Sequence, residues 1–343
     1  MNISLVQFRD RNGRGVAVAD RSGQWQRVPG FVTVLDLASH VLASGIAIAD
    51  WLVTHRSDEA IDLASVELLL PVDHMDPARL MVSGTGLTHS GSAAGRDAMH
   101  RSGTAGEQLT DSIRMFRMGE AGGKPPEGVI GVQPEWFYKG DGRCLVASGQ
   151  PLESPAFALD GSEEPEIAAI YLIDADRQPV RLGYALGNEF SDHVTERENY
   201  LWLAHSKLRP ASLGPELLLG PLPSSVSGIS RIRRDGEVIW EKQFYSGEAN
   251  MSHSLANLEY HHFKYAQFRR PGDVHVHFMG TAVLSYGSEV NTRDGDVFEI
   301  SADAFDLELS NCLTTSSAKA FAVRDIVTPT AGMSVIPLSL LRT

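Results

Sequence analysis

The chain has 343 residues, 43% of them hydrophobic and 21% charged, with a net charge of −13. It is long enough for one large domain or two unequal ones, and its acidity makes nucleic acid and anionic membrane poor partners. Cys144 and Cys312 form no CxxC pair, so no disulfide framework is expected. Charged residues as early as Arg9 and Asp10 leave no signal-peptide core, and the apolar stretch 41–53 is broken by Asp50 and too short for a bilayer. The expectation is a cytoplasmic protein.

In chain order, strands are expected at Ile3–Val6 and Val16–Val18, followed by a helix over Val34–Leu52 with apolar residues at helical spacing. The segment LLLPVDHMDPARLMVSG carries two prolines and marks a boundary between a small N-terminal α/β subdomain, residues 1–75, and a main domain, residues 76–343. Beyond it a strand runs into the glycine-rich GTGLTHSGSAAG, and Gly106–Met118 reads as a helix. From Gln133 onward, short strands alternate with Gly, Pro, Asn and Asp. The clearest helix there is Asn250–Gln267, with Leu255, Leu258, His262 and Tyr265 on one face. Regular βα alternation is missing, so the fold class is a β-rich α+β.

The chemistry-bearing motifs are few. P-loop, HExxH and GxSxG patterns are all missing. GTGLTHSG begins like a nucleotide loop but puts His89 where a third glycine is needed. HVHF sets His275 and His277 on one face of a strand, a pair read as a hydrogen-bonded polar core in the absence of a third histidine at ligand spacing. His261 and His262 are adjacent on a helix and cannot face one site together.

The carboxylates point further. In GSEEPEIA, Pro165 disfavours a helix, so Glu164 and Glu166 project from the same side of an extended chain. Two such groups repel unless something positive lies between them. A second apolar strand, Leu182–Leu186, ends at Gly187-Asn188 and delivers Glu189. Together these make a hard oxygen site suited to Mg²⁺, Mn²⁺ or Ca²⁺ rather than zinc. Asp192, Glu196 and Glu198 read as a solvated helix face, and Lys207 alone reads as an exposed lysine before a Pro/Gly-rich turn.

The order of these motifs resembles the fumarylacetoacetate hydrolase (FAH) family, in particular its sugar-acid branch of 2-keto-3-deoxy-pentonate dehydratases. The resemblance runs through VSGTGLTH, PEWFYKG, EPEIA, GYALGNEFSD, SKLRPASLGP, RRPGDVHVHFMGT and TRDGDVFEI, over about residues 76 to 300. It implies a mixed β-roll with a divalent cation in its mouth. The family's metal-binding Glu-x-Glu falls on Glu164 and Glu166, and its third ligand, usually an aspartate, on Glu189. The active-site lysine falls on Lys207, a second basic position near the pocket on Lys139, and the loop at the substrate carboxylate on Gly280 and Thr281. A homodimer is also implied.

Hydrolase members carry NYxxHxxE to activate water. The corresponding stretch here, THSGSAAG, has no such acid, and His89 is offset. The expected activity is therefore a Mg²⁺-dependent dehydration of a small 2-keto-3-deoxy sugar acid, giving 2,5-dioxopentanoate from a pentonate. Lys207 would transfer the proton or stabilise the enolate, with a pKa depressed by the cation, and His89 stands second. The alternatives are hydrolysis of an acylpyruvate or 2,4-diketo acid, with Glu107 supplying the base, and a metabolite-binding protein that keeps fold and metal.

Overall fold

The computed structural model describes residues 3–19, 23–92, 110–288 and 290–317. The first half runs β1 (Ile3–Asp10), β2 (Gly13–Ala19), β3 (Trp25–Val28), α1 (Val34–Ser44), α2 (Ile48–His55), β4 (Glu67–Leu68), β5 (Leu80–Gly84), α3 (Asp111–Gly122), β6 (Phe137–Asp141), β7 (Leu145–Ala147) and β8 (Leu152–Ser154). Next come β9 (Pro165–Ile173), β10 (Pro179–Asn188), α4 (His193–Glu198), α5 (Leu203–Lys207), β11 (Ala211–Leu213) and β12 (Glu216–Leu219). The chain then continues through β13 (Val226–Arg234), β14 (Glu237–Ser246), α6 (Leu255–Phe263), β15 (Val274–Phe278), β16 (Val297–Ala302) and β17 (Leu309–Thr315).

Two mixed sheets result, a strand-dominated α+β architecture. The larger has twelve strands and runs β3-β2-β1-β12-β10-β9-β15-β5-β6, with β4, β7 and β11 joined alongside; the smaller runs β14-β13-β16-β17-β8. β1 pairs antiparallel with β12, Leu5 opposite Leu217, so the N-terminal strands extend the larger sheet.

β9 lies at the centre, and every one of its residues is buried. Side chains alternate across a strand. Accordingly Ala168, Ile170 and Leu172 pack into one apolar cluster, while Ile167, Ala169, Tyr171 and Ile173 pack into another on the opposite face. A fully buried side chain such as Ile170 contributes about 1.5–3 kcal/mol by removal from water.

The helices are shorter than their apolar periodicity suggests, because local caps end them. α1 begins where the Thr33 hydroxyl accepts from Asp36 N at 3.0 Å, and stops at Gly45, which turns left-handed at φ 70°. The single helix expected across Val34–Leu52 is therefore two, α1 and α2, set at 107°. Among the described residues no single helix is long and apolar enough to cross a membrane.

Ser254 caps α6 by accepting from Asn257 N at 3.2 Å, so that helix starts at Leu255 rather than Asn250, and it ends at Phe263. α3 is capped by Thr110 and runs to Gly122; residues 106–109 of the expected helix lie outside the described residues.

The registers bring several strand ends together. Glu166 lies opposite Gly187 and Pro165 opposite Asn188. Phe278 pairs with Ala168 on one side and Gly84 on the other, and Gly84 pairs with Phe137. The start of β9 thus lies beside the ends of β10, β15 and β5 and the start of β6.

Candidate metal centre

Backbone pairing holds the two carboxylate-bearing segments in place. Beyond the β9–β10 ladder, Glu189 N donates to Glu164 O at 3.0 Å, Glu164 N donates to Asn188 Oδ1 at 3.2 Å, and Ser162 and Ser191 exchange N–H···O bonds at 3.1 Å. Because the chain stays extended, Glu164 and Glu166 turn to one side. Glu163 turns to the other, where its carboxylate accepts from Ser285 N at 2.9 Å and Ser285 Oγ at 2.5 Å. The acidic trio of GSEEPEIA therefore divides its work: two groups face the cleft and one ties down the loop after Thr281.

Glu164, Glu166 and Glu189 are all buried, and one oxygen from each lies within 4.8 Å of the others. Among the described residues this is the one His/Cys/Asp/Glu group that could hold a metal ion. A set of three carboxylates is hard and oxygen-only, which fits Mg²⁺, Mn²⁺ or Ca²⁺ and not a thiol- or imidazole-preferring metal.

Glu164 and Glu166 are each anchored through one oxygen and Glu189 through both. Glu166 Oε2 accepts from Gly280 N at 2.6 Å. Glu164 Oε1 accepts from Lys207 Nζ at 2.5 Å and from His193 Nε2 at 3.0 Å. Glu189 takes Lys139 on Oε1, and Lys207 Nζ at 2.5 Å and Ser191 Oγ at 3.0 Å on Oε2. Among the described residues no hydrogen bond engages Glu164 Oε2 or Glu166 Oε1.

Charge follows from this geometry. Burial raises the Glu164 carboxyl, but the Lys207 ammonium and His193 outweigh it and hold its pKa well below the usual range. Glu166 moves the other way, well above that range, because burial and the neighbouring Glu189 and Glu164 all disfavour its charge. Glu189 is also raised, by burial, against the opposing pull of Lys139 and Lys207. Glu163 is pushed up to about 7 by burial.

Burial disfavours the Lys207 ammonium, yet Glu164 and Glu189 outweigh it, so its pKa lies above the ordinary lysine value. The nearest charges in the protein itself are carboxylates, and the depression expected beside a bound cation concerns the metal-loaded site. The amine also rests 4.9 Å over the Phe137 ring. Lys139 shifts down, because burial prevails over Glu189.

The remaining candidates separate. Thr281 and Gly280 line the cleft with Gly86, Leu87, Phe137 and Leu284, around a space of about 20 Å³, room for an ion or a single water. Gly280 sits at φ 90°, and a Cβ there would meet Thr88 Oγ1 at 2.2 Å. Its N–H is committed to Glu166, which leaves Thr281 as the polar group of that loop in the cleft wall. Lys139 does not line the cleft. Its amine bonds Glu189 and, at 2.8 Å, the Phe190 carbonyl.

His89 is buried behind the wall, within hydrogen-bond distance of Thr88 Oγ1 at 3.0 Å and Ser246 Oγ at 3.1 Å, and burial lowers its pKa to about 4. Glu107 lies outside the described residues. His275 and His277 form a polar core with His262 and Ser83, at 3.0 and 2.9 Å.

Other residues were not legible as site residues. His193, in FSDHVTE, is buried between Glu164 and Asp160, its Nδ1 at 3.5 Å from the Asp160 carboxylate. These two carboxylates overcome its burial and raise its pKa to about 10. Asp192 and Glu196 are buried, not a solvated helix face: Asp192 caps α4 by accepting from Thr195 N at 2.9 Å and pairs with Arg209 at 3.4 Å. Only Glu198 of that trio is exposed. The Ser191-Asp192-His193 run after Glu189 was the available signal, since short polar residues beside a buried carboxylate serve as its hydrogen-bond partners.

No family model and no curated protein matches the sequence. Solved structures do. The chain is similar to 2-keto-3-deoxy-D-arabinonate dehydratase complexed with magnesium and 2,5-dioxopentanoate, with a TM-score of 0.65 and 17% identity over 92% of this chain and 100% of that one. A 5-carboxymethyl-2-hydroxymuconate delta-isomerase from Mycobacterium smegmatis matches at TM-score 0.55 and 17% identity, with the same coverage. A 2-hydroxyhepta-2,4-diene-1,7-dioate isomerase from Mycobacterium marinum matches at TM-score 0.56 and 15% identity, again over 92% of this chain and 100% of that one. Likeness at these identities establishes the fold, and it is the fold implied by the fumarylacetoacetate hydrolase resemblance.

Proposed function

We propose that this chain is a Mg²⁺-dependent hydro-lyase of the fumarylacetoacetate hydrolase family. Its substrate class is the 2-keto-3-deoxy sugar acids, with a pentonate of the arabinonate or xylonate type giving 2,5-dioxopentanoate. The observation that carries the reading is the charge balance of the cleft. With every group ionised, the state a bound cation favours, three carboxylates face two buried ammonium groups, Lys139 and Lys207, which leaves one net negative charge. His193 does not alter the count, because Asp160 balances it. A divalent cation reverses the sign to one positive charge, which a monoanionic 2-keto acid neutralises. The solved dehydratase of the same fold, which holds magnesium and 2,5-dioxopentanoate, supports this reading.

Glu164, Glu166 and Glu189 would hold a divalent ion, which would supply Lewis-acid stabilisation of the negative charge that develops on the substrate's 2-keto acid group. Lys207 Nζ holds a proton at the cleft wall and can pass it to the C4 hydroxyl, which departs as water, while the C3 proton passes to the amine and restores it. A proton shift from C5 to C3 then gives the C4=C5 enol, and its tautomerisation, the O5 proton leaving and a proton adding at C4, gives the aldehyde with no external oxidant or reductant. Thr281 takes the substrate carboxylate, while Phe137, Leu87 and Leu284 keep water out.

Dehydration is favoured over hydrolysis by the lining itself. Among the described residues of the cleft, the titratable groups are Glu164, Glu166 and Lys207, with no histidine–glutamate pair to activate a water. The test is a Mg²⁺-supplemented screen of 2-keto-3-deoxy acids that scores semialdehyde and pyruvate separately. Semialdehyde is expected. Stoichiometric pyruvate from an acylpyruvate would replace this reading with the hydrolase, and metal-dependent binding without turnover would replace it with a metabolite-binding protein.

A further inference from the structure

The metal ligands are held by different means. Glu166 is fixed by a backbone amide and Glu189 by two lysines and Ser191. Glu164 depends on side chains alone, Lys207 and His193, for the described bonds to its carboxylate. His193 is confined on every side the structure shows. Its Nε2 donates to Glu164 Oε1 at 3.0 Å, its Nδ1 lies 3.5 Å from Asp160 Oδ2, and its ring stacks on Tyr286 with centroids 5.4 Å apart at 22°. Arg197 also lies over the Tyr286 ring, its guanidinium carbon 5.7 Å from the ring centre. Asp160 is itself tied to Ser162 Oγ at 2.7 Å. The imidazole therefore cannot swing without breaking an ion pair or a stack.

We propose that His193 is a positioning residue that pins Glu164 Oε1, so that Glu164 offers its other oxygen, Oε2, to the divalent ion. This inference rests on the metal reading above. Two effects compete when the imidazole is removed. Losing a positive neighbour would draw a cation closer, while losing the anchor frees the Glu164 carboxylate to rotate and to be held by Lys207 alone. The second effect wins, because Asp160 balances the imidazolium and leaves only the field of a close ion pair at the cleft. Partners that orient metal ligands typically contribute about 10–100-fold in metal affinity.

The experiment is calorimetric titration of the metal-stripped full chain with Mg²⁺, for wild type, His193→Gln and His193→Ala, with the apoprotein melting temperature measured alongside. His193→Ala is expected to weaken Mg²⁺ binding by about 10–100-fold. His193→Gln can still donate one N–H to Glu164 Oε1 and should recover part of the loss, a rescue that a merely space-filling role would not give. If His193→Ala does not fold, Asp160→Asn serves instead. It contacts no ligand carboxylate in the described bonds and loosens only the far side of the ring, so a several-fold weaker affinity is expected. Folded His193 variants that bind Mg²⁺ as tightly as wild type overturn the assignment of His193. A wild-type chain that takes up no Mg²⁺ overturns the metal reading, and this inference with it.

Discussion

Replacing Lys207 with Met removes an ammonium while keeping most of its bulk, and the structure gives the consequence a sign that chemistry alone does not. Lys207 Nζ lies 2.5 Å from Glu164 Oε1, 2.5 Å from Glu189 Oε2 and 2.9 Å from Ser191 Oγ. Two of those partners are metal ligands, so the amine and a divalent ion draw on the same carboxylates. A net charge-assisted hydrogen bond is worth about 1.5–3 kcal/mol. Freeing one such bond's worth of competition should tighten Mg²⁺ by about 10–100-fold. The apoprotein pays in return, because a buried pair that loses one partner costs about 3–5 kcal/mol. Its melting temperature should fall, and the rise on adding Mg²⁺ should exceed that of wild type. Turnover should drop by about 10² or more with KM little changed if the amine acts in the transition state. Calorimetric titration, melting with and without Mg²⁺, and steady-state kinetics read the three effects separately. Mg²⁺ affinity that is unchanged or weaker in Lys207→Met would refute the competition argument, and a higher KM at intact kcat would make Lys207 a binding group.

The other predictions test the same electrostatics from different sides. Glu166→Gln should hold or raise apoprotein stability, because burial and its carboxylate neighbours already disfavour its charge, whereas Glu189→Gln should lower it by about 3–5 kcal/mol by taking the carboxylate from Lys139 and leaving Lys207 with Glu164 alone. Melting curves in chelator give the two signs, and neither variant should gain stability from Mg²⁺ as wild type does. Gly280→Ala places a Cβ 2.2 Å from Thr88 Oγ1 at φ 90°, so a loss of about 1–3 kcal/mol with collapse of activity is expected; wild-type melting and turnover would show that the loop yields freely. His277, held at about 3 by burial and by His275, stays neutral in the native state while the unfolded chain protonates near 6.5. Its contribution is complete above pH 6.5 and is lost as pH falls toward 3, so His277→Asn should lose about 2 kcal/mol less than wild type between pH 7 and pH 5 in denaturant titrations. Equal losses would mean that His277 is protonated in the native state.

How much of this was legible in the sequence depends on whether a signal is local. The extended conformation forced before Pro165 and the strand ending at Gly187-Asn188 are local, and they sufficed to pair Glu164 and Glu166 and to bring Glu189 near. The helix from Val34 had the right period but not the right end, since the apolar pattern continues through Gly45 while the backbone turns left-handed there. Asp192 and Glu196 misled for the opposite reason. A charged residue before or within a short helix is usually solvated, and only the tertiary placement of Arg209 and the cleft makes burial tolerable for Asp192. The contacts that Lys139 and Gly280 make were not legible: the first serves a ligand carboxylate, and the second, in the cleft wall, lends its amide to another. Those contacts span sequence separations of 50 and 114 residues, beyond any periodicity.

The departure at Glu189 gains a physical reason from the same contacts. The resemblance calls for an aspartate there, and a glutamate carries its carboxylate one methylene further from the strand. In this fold that carboxylate lies between two lysines that reach it from different elements, Lys139 on β6 and Lys207 at the end of α5. An aspartate at the same backbone position would draw back by about 1.5 Å, a single carbon–carbon step. It could not then keep both bonds without a shift of β6 or α5. Buried charges persist only when their hydrogen bonds are nearly complete, so the longer acid and the second lysine are mutually required. The three carboxylates tolerate one another because each has its own anchor: an amide for Glu166, an imidazole for Glu164 and a lysine for Glu189, with Lys207 shared between the last two. That arrangement keeps the acidic edge of the core folded before a cation arrives, and it leaves the unshared oxygens of Glu164 and Glu166 as the places where one can bind.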